Sequence, residues 1–458
     1  MAISATYFNE VFESGGGVRE PYGSLLEVLE HIGVEEFARK RARADEKLRE
    51  LGATFPLPDD PAGKDRILPA DWMPRIIPGD HWETLSTGLL QRGRAINAWL
   101  TDLYNGEQDV VPKEIIQSSI FYRTRPLPDC SVPTPVRVYG PDVVHLESGE
   151  YVVLEDNARV PSGVAYSEAV RRAGPEALGE LYEPYRVRGI FSYYTMLRRS
   201  LENAAPAGVE EPCLAVVTRG EEDSAYFEHR RISEACGIRL LTLADCYIKD
   251  GEVRDCSDGQ RIDVIYRRFD EDYMRTDLPE LEEVYQAGKV SFENALGVGV
   301  ADDKAVFPYV PAMIERYLEQ EPVLKNVPTF SLSEPEERAE VLERLGELVL
   351  KPRDGYGGQG IVVGPEASPE DLAHARQAVK ENPTGFVAQE TLDFSTHVLD
   401  WASKDHGPAE AFVDLRAFVL PAEDYVMPGG LTRVASPGTR VVNSSAGGSF
   451  KDTLVLED

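Results

Sequence analysis

The sequence predicts a mixed α/β protein, and three regions of the chain carry this prediction. Apolar residues recur at helical spacing through much of residues 1–125, residues 213–270 alternate strand, helix and strand, and the C-terminal region is β-rich. A chain of 458 residues can bury a large core in two or three domains. We expect four segments: a helical N-terminal region at 1–125, a β-rich segment at 126–204, a small parallel α/β domain at 205–290 and a final part at 291–458.

Helices are expected where apolar residues recur about every 3.6 positions. One such pattern covers residues 24–52 and ends at a glycine, and a second covers residues 81–106. Between them, residues 55–80 are rich in Pro and Asp, which favours a loop. Further helices are expected at residues 181–203 and around residues 291–320.

The small α/β domain is predicted from runs that have the composition of buried strands. These runs are CLAVVTRG, IRLLTLADCYI and RIDVIYRR, and SAYFEHRRISEACG between the first two predicts a helix that ends at a glycine. Strand, helix, strand order is typical of parallel sheets. Residues 204–212 are a plausible linker into this domain.

The net charge of −31 restricts the partners of this protein. It comes from 79 acidic and 48 basic residues, and such a field repels nucleic acids and anionic membrane surfaces. A bound nucleotide would need locally concentrated Lys, Arg and metal ions. No apolar stretch approaches the roughly 20 residues that cross a bilayer, and the first residues lack the pattern of a secretory signal. We therefore expect a cytoplasmic protein.

Several chemistries find no support in the sequence. The five cysteines lie outside any CxxC spacing and have no histidine at zinc-ligand spacing, which argues against structural zinc and disulfides. Ser162 and Ser444 lie beside glycines but outside GxSxG. His229 fits a packing residue better than a base. Covalent catalysis by the protein is not indicated.

A glycine-rich loop after an apolar strand is the first candidate for ligand binding. The segment LKPRDGYGGQGI places Lys351 at the end of the strand and four glycines in the loop that follows. Backbone N–H groups of such a loop can contact phosphate oxygens while the lysine adds charge. GxxxxGK[ST] is absent, so this is not a P-loop. The alternative is a plain turn.

Three oxygen-bearing side chains form the second candidate. VRVYGPDVVHL and YVVLEDN predict a β-hairpin around the turn ESGE, with Asp142 on one strand and Glu155 on the other. Because strand side chains alternate, Glu155 and Asn157 should share a face. Carboxylate and amide oxygens suit Mg²⁺. The alternative is a solvated strand end with surface acids.

Basic residues in apolar surroundings form the third candidate. Arg416 and Arg433 each stand between apolar residues in predicted strands, where an arginine needs a buried anion or a cleft. With Arg159, just after the acidic strand, they could hold an anionic transition state or a substrate carboxylate. Lys304 precedes a predicted helix, and its alternative is an exposed lysine at a helix start.

Taken together, VLKPRDGYGGQGIVVG, FVAQETLDFST and YVVLEDNARVPSG resemble the phosphate loop, adenine hinge and metal strand of ATP-grasp enzymes. In most of these enzymes the metal strand comes last, whereas Glu155 here precedes Lys351 by almost two hundred residues. The order is similar to that of the circularly permuted ATP-grasp family (type 2), related to glutathionylspermidine synthetase. The resemblance also covers DSAYFEH, GVADDKAVFPYVP, VMPGGLTRVA and VVNSSAGGSFKDTLVL, and so extends over nearly the whole chain.

The resemblance implies a permuted ATP-grasp fold. Its core would comprise residues 126–204, with the metal strand, and 291–458, with the lid and phosphate loop, and residues 205–290 would be a pre-ATP-grasp-like domain. It also implies a role for each matching position. Phosphate contacts would come from Lys304 and Lys351, the lid loop from Gly357, Gly358 and Gly360, the adenine hinge from Gln389, Glu390 and Thr391, Mg²⁺ ligands from Asp142, Glu155 and Asn157, and stabilisation of reaction intermediates from Arg416, Arg433 and Asn443.

The activity that the resemblance implies is ATP-dependent joining of a carboxylate to an amine. ATP and two Mg²⁺ ions would be the cofactors, an acyl phosphate the intermediate, and ADP and phosphate the products. Substrates would be small-molecule or peptide carboxylates and amines. Two alternatives remain: a nucleotide-binding scaffold that works with a partner protein, and a phosphotransferase that releases a phosphorylated product.

Overall fold

The computed structural model describes most of the chain. The described residues are 7–54, 66–125, 127–128, 134–355, 358–399, 409–442 and 448–457.

The α-helices of these residues are distributed along the chain, with the longest near the N-terminus. They are α1 (Gly23–Ile32), α2 (Val34–Glu50), α3 (Gly79–Asn105), α4 (Lys113–Gln117), α5 (Val164–Leu178), α6 (Ser192–Glu202), α7 (Tyr226–Cys236), α8 (Glu271–Asp277), α9 (Leu281–Gln286), α10 (Val310–Leu318), α11 (Pro335–Arg344) and α12 (Pro369–Glu381).

The strands are short and fall into several sheets. They are β1 (Arg75–Ile77), β2 (Asp142–His145), β3 (Tyr151–Glu155), β4 (Leu214–Thr218), β5 (Arg239–Thr242), β6 (Cys246–Lys249), β7 (Glu252–Asp255), β8 (Arg261–Ile262), β9 (Val264–Arg268), β10 (Ser291–Glu293), β11 (Lys325–Asn326), β12 (Thr329–Ser331), β13 (Leu348–Pro352), β14 (Val362–Val363), β15 (Phe386–Glu390), β16 (Thr396–Leu399), β17 (Ala409–Arg416), β18 (Val419–Leu420), β19 (Tyr425–Val426), β20 (Leu431–Val434), β21 (Ser449–Lys451) and β22 (Thr453–Val455).

The N-terminal region is helical, as the apolar spacing predicts, but its first helical pattern is divided. Gly33 separates α1 from α2 and adopts a φ of 75°, a left-handed value that glycine reaches at little cost. The apolar residues continue across this break because both helices bury their stripes in one core. α3 is buried on several sides and ends at Gly106, again as predicted.

The largest sheet joins an early hairpin to late strands. Its order is β11-β3-β2-β17-β20-β21, and β16 pairs with β17 at one side. The predicted hairpin is present, with β2 and β3 antiparallel. β2 pairs on its other side with β17, which lies far along the chain. Within this sheet a strand from early in the chain therefore lies beside a strand from late in the chain.

The predicted parallel α/β unit is also present. Its sheet has the order β10-β9-β4-β5, and every pair in it is parallel. The run IRLLTLADCYI, expected as one strand, is two: β5 ends at Thr242, and β6 belongs to a separate antiparallel sheet with β7 and β8. The carboxylate of Asp245 accepts the backbone N–H of Thr242 at 2.8 Å and turns the chain between them.

A third sheet, β12-β15-β13-β14, carries the glycine loop between β13 and β14. These two strands are antiparallel. α11 and α12 cover the sheet and enclose a small core that includes Leu345, Leu348 and Val379. The strands on either side of the loop therefore belong to a unit with its own small core.

Two other helical predictions need correction. In place of one helix at 181–203, the chain forms α5 before it and α6 within it. In the 291–320 region only α10 is an α-helix, preceded by strand β10 and short 3₁₀ turns. Among the described residues, no helix is both long and apolar enough to span a bilayer.

Candidate functional site

One end of the large sheet presents charged side chains from four adjacent strands. Asp142 on β2 lies opposite Glu155 on β3 and opposite Arg416 on β17. Arg433 on β20 lies opposite Asp414 on β17. Directly opposed residues in antiparallel strands have Cβ atoms about 5 Å apart. Strand pairing alone therefore brings acids of the early hairpin to arginines of the C-terminal region.

Asp142 is buried and bound by two guanidinium groups. Arg416 donates from Nε to Oδ1 at 2.7 Å and from Nη2 to Oδ2 at 2.6 Å, and Arg433 Nη2 lies 2.9 Å from the same Oδ2. Arg433 also forms a two-point pair with Asp414. Burial alone would raise the pKa of Asp142, but the two arginines hold it well below its ordinary value.

Glu155 and Asn157 share a face of β3 and its extension, as the strand period predicts. Glu155 is half-buried and lies 3.7 Å from Arg416 and 3.8 Å from the ammonium of Lys304. The amide nitrogen of Asn157 donates to the Gly140 carbonyl at 3.0 Å, so the amide oxygen remains for a ligand. Asp156, between them, points the other way and is paired with Arg92.

The two predicted phosphate lysines reach the same place from different segments. Lys304 donates to the carbonyl of Gly355 at 2.6 Å, which ties it to the start of the glycine loop. Lys351 on β13 is buried, its backbone pairs with β15, and its ammonium forms no hydrogen bond or ion pair with any other described residue. Burial lowers the pKa of Lys351, although Glu155 opposes the shift. An unpaired buried ammonium at a cavity wall is suited to an anionic ligand.

The glycine loop begins beside these lysines, because Lys351 lies on the strand before it and Lys304 donates to the carbonyl of its first glycine. Gly358 and Gly360 have φ values of 74° and 72°, in the left-handed region where a side chain would be strained. Gly358 lines the cavity described below. Gly357 and Asn443, two other predicted site residues, lie outside the described residues.

The predicted hinge forms another wall. Gln389 on β15 is buried, and its amide nitrogen donates to the Leu154 carbonyl at 3.2 Å and to the Thr329 hydroxyl at 3.1 Å. Glu390 is paired with Arg344, and the Thr391 hydroxyl donates to a backbone carbonyl at 2.6 Å. These side chains stabilise the hinge, and so does its backbone, because Gln389 pairs with both β12 and β13 and the Glu390 N–H donates to the Pro328 carbonyl at 3.0 Å.

Arg159 lines the same cavity but is not part of the arginine pair. Its Nε lies 3.3 Å from Asp302 and its Nη1 3.1 Å from Asp270, and its guanidinium stacks over Phe121 at 4.3 Å. The structure thus pairs Arg159 with Asp270 and Asp302, whereas Arg416 and Arg433 lie together around Asp142.

All these groups surround one cavity of about 420 Å³. This volume suits a nucleotide-sized ligand. Its charged lining is more acidic than basic, because eight acidic and six basic residues line it among the described residues, although the carboxylate of Asp156 is directed to Arg92. They are Asp142, Glu155, Asp156, Asp270, Asp302, Asp354, Glu390 and Asp414, against Arg159, Lys304, Lys351, Arg416, Arg433 and Arg440.

Six of these charged residues were not singled out from the sequence, among them Asp302, Asp414 and Arg440. Asp302 accepts the backbone N–H groups of Ala158 and Arg159. Asp414 stands two residues before Arg416, so the strand period could have placed it on the same face. Arg440 follows β20; its guanidinium donates to Asp393 at 2.9 Å, and its backbone N–H donates to Glu366 at 2.9 Å. No local pattern marks the first or the third of these residues.

Comparison with solved structures supports the fold. A glutathione synthetase-like effector from Globodera pallida, in its apo form, superposes with a TM-score of 0.59 at 11% identity, over 93% of this chain and 98% of its own. At that identity the likeness concerns the fold. It agrees with a mixed α/β ATP-grasp architecture.

The family follows from sequence. The profile of the circularly permuted ATP-grasp type 2 family matches residues 74–435, and this chain belongs to that family. The match spans the acidic hairpin, the glycine loop and the hinge. The resemblance inferred from the motifs is confirmed.

Two relatives show what this chain is similar to. An uncharacterized protein of Synechocystis sp. is 37% identical over 98% of this chain and 97% of its own length. A protein of Frankia casuarinae that bears the name putative glutamate–cysteine ligase is 39% identical over 98% of this chain. This chain spans only 54% of the Frankia protein.

Proposed function

We propose that this protein is an ATP-dependent carboxylate–amine ligase that forms an amide or peptide bond through an acyl phosphate. The observation that carries the proposal is the convergence of four distant segments on one cavity. The acidic hairpin, Lys304, the β13–β14 loop with Lys351, and the hinge after β15 all line it. Phosphoryl transfer needs this combination of cationic side chains, backbone donors and oxygen ligands.

ATP would lie between the third sheet and the large sheet. The hinge from Gln389 to Thr391, which lines the cavity, would lie beside the adenine. Lys351, whose ammonium has no partner among the described residues, and Lys304 would contact phosphate oxygens, and the loop with Gly358 would cover them. Lys304 is already tied to this loop through Gly355, so phosphate binding and loop closure would be linked.

The donor set fits Mg²⁺. Glu155 keeps its carboxylate oxygens near the cavity, Asn157 keeps its amide oxygen, and Asp142 lies opposite Glu155. No cluster of three His, Cys, Asp or Glu suited to a metal occurs in the described part of the chain, so nucleotide phosphates and water would complete the shell. Two bound ions would neutralise phosphate charge in a cavity whose own lining is acidic.

The chemical steps would need positioning and positive charge more than acid or base groups. A substrate carboxylate oxygen attacks the γ-phosphorus and ADP leaves. An amine nitrogen then attacks the acyl carbon, phosphate leaves and the nitrogen loses a proton. Arg416 and Arg433 lie beside Asp142, one of the proposed metal ligands. There they would stabilise the negative charge that develops on the phosphoryl oxygens, and Asn443 is proposed to assist them. Arg159 lines the same cavity and would act near a substrate.

The name of the Frankia relative supports this class of reaction, because glutamate–cysteine ligation also joins a carboxylate to an amine. That protein is almost twice as long as the matched region, so the name does not identify the substrates of this chain. Small-molecule or peptide substrates remain the proposal.

ATP turnover in the presence of hydroxylamine tests the function. A panel of carboxylates is supplied with ATP and Mg²⁺, and hydroxamate, ADP and phosphate are measured. We expect hydroxamate with at least one carboxylate and its loss in Glu155→Ala. Glu150→Ala is the matched control, because Glu150 lies in the same hairpin, is exposed and pairs only with Lys325 and Ser148 among the described residues.

Three outcomes would contradict the proposal. Nucleotide binding without turnover across substrates and cell extracts would favour a scaffold. A stable phosphorylated product that hydroxylamine does not trap would favour a phosphotransferase. Turnover retained in Glu155→Ala would remove the metal assignment.

A further inference from the structure

The carboxylate of Asp414 lines the cavity and has no role in the reaction proposed above. It is buried and stands on the same face of β17 as Arg416. Its partner Arg433 lies directly opposite on β20 and binds both of its oxygens. Asp414 therefore acts on the site through Arg433 rather than by contact with a substrate.

Arg433 is shared between two carboxylates. Its Nη2 donates to Asp414 and lies 2.9 Å from Asp142 Oδ2, the oxygen that also accepts from Arg416 at 2.6 Å. The exposed fractions of these four side chains are only 2% for each acid, 14% for Arg433 and 16% for Arg416. Charges in such surroundings interact far more strongly than in water.

The charges of this group balance only with Asp414 ionised. Two aspartates face two arginines, so the group is neutral and Glu155 adds the negative charge beside it. Without the charge on Asp414, two guanidinium groups would compete for Asp142 alone. The local charge would rise by one unit, and a divalent cation would be repelled from the place where Asp142 meets Glu155.

We propose that Asp414 is a positioning residue that divides Arg433 between two carboxylates and so keeps Asp142 able to bind a divalent cation. The inference rests on the proposed metal site. In this role Asp414 determines how tightly the site binds a divalent cation. Asp414 reaches the proposed ligand Asp142 through Arg433. Loss of a side chain that orients a metal ligand typically weakens metal binding by about 10- to 100-fold.

A purely structural role for Asp414 makes a different prediction. In that case the pair with Arg433 would only link β17 to β20, as the buried Asp255 on β7 and its partner Arg239 on β5 link two parts of the small domain. Asp255 does not line the cavity. Asp255→Asn is therefore a matched control for the loss of a buried, arginine-paired carboxylate.

Mn²⁺ binding tests the inference without any knowledge of the substrates. Mn²⁺ is titrated into the full-length protein in saturating ADP, and free Mn²⁺ is measured by electron paramagnetic resonance. We expect Asp414→Asn to bind Mn²⁺ about 10- to 100-fold more weakly than the native protein. Asp255→Asn should match the native protein. Asp414→Asn combined with Arg433→Gln should recover most of the loss, since the charges balance again.

Unchanged Mn²⁺ affinity in Asp414→Asn, or no recovery in the double variant, would overturn the inference. If Asp414→Asn does not fold, Arg433→Gln alone decides: it should bind Mn²⁺ at least as tightly as the native protein, and weaker binding would contradict the role of Asp414. Failure of the proposed function would look different, because the native protein would then bind no Mn²⁺, or Glu155→Ala would bind it normally.

Discussion

Arg416 donates two hydrogen bonds to Asp142 across a separation of 274 residues, at 2.7 and 2.6 Å. This pair links the early acidic hairpin to the C-terminal strands, and it forms because β2 and β17 are neighbours in one sheet. The contact between the early and the late part of the chain is thus made directly by these two side chains. Its consequences can be measured in stability as well as in ligand binding.

Arg416→Met should lower the free energy of unfolding by about 3 kcal/mol. The value is at the low end for breaking a buried ion pair, because Arg433 still contacts Asp142. Urea denaturation of the native and variant proteins measures it.

A double-variant cycle provides the control for this prediction. Asp142→Leu combined with Arg416→Met should lower the free energy of unfolding by less than the sum of the two single changes, since neither variant residue leaves a charge of the pair behind. Additive losses would show that the pair contributes nothing beyond its separate members.

Lys351→Met should affect stability and nucleotide binding in opposite directions. The buried ammonium has no partner among the described residues, and burial lowers its pKa, so its removal should leave the melting temperature unchanged or raise it. ADP affinity should fall by about tenfold or more, the effect of losing a hydrogen bond to a charged group. Thermal unfolding and calorimetric titration measure the two quantities.

Lys325→Met is the control for Lys351→Met, because Lys325 is exposed on β11 and does not line the cavity. It should leave ADP affinity unchanged. Normal ADP binding by Lys351→Met would remove that lysine from the proposed phosphate site.

Glu293 should make stability depend on pH. Burial raises its pKa to about 8, although Arg137 lies 3.3 Å away. The folded carboxyl keeps its proton in a range where the unfolded one, with a pKa near 4.5, has lost it. Its contribution is therefore full below pH 4.5 and is lost as pH rises towards 8, with a cost of about 3 kcal/mol at pH 7.

Glu293→Gln removes this titration, so the melting temperature of the variant minus that of the native protein should rise steadily from pH 5 to pH 8. Thermal unfolding across this range measures the difference. A difference that stays constant with pH would mean that Glu293 has an ordinary pKa.

The sequence predicted those features of the site that depend on local spacing. Alternation along β3 placed Glu155 and Asn157 on one face, and the structure turns Asp156 to the other. The glycine loop was likewise predicted from residues that are adjacent in the sequence. The same alternation along β17 could have placed Asp414 beside Arg416, had the pattern been followed two residues further back.

Features that depend on pairing between distant strands could not be predicted from the sequence. The pair between Asp142 and Arg416 needs β2 and β17 to be neighbours, and no spacing rule specifies a contact over 274 residues. The position of Arg159 is similar, because its partners Asp270 and Asp302 come from other segments. The break at Gly33 was hidden because apolar residues continue across it.

The central claim is that Glu155 holds a divalent cation that ATP needs in order to bind. Calorimetric titration with a non-hydrolysable ATP analogue, with and without Mg²⁺, tests this claim most directly in the native protein, Glu155→Ala and Glu150→Ala. We expect Mg²⁺-dependent binding in the native protein and in Glu150→Ala, and its loss in Glu155→Ala. Equal, Mg²⁺-dependent binding by all three proteins would contradict the claim.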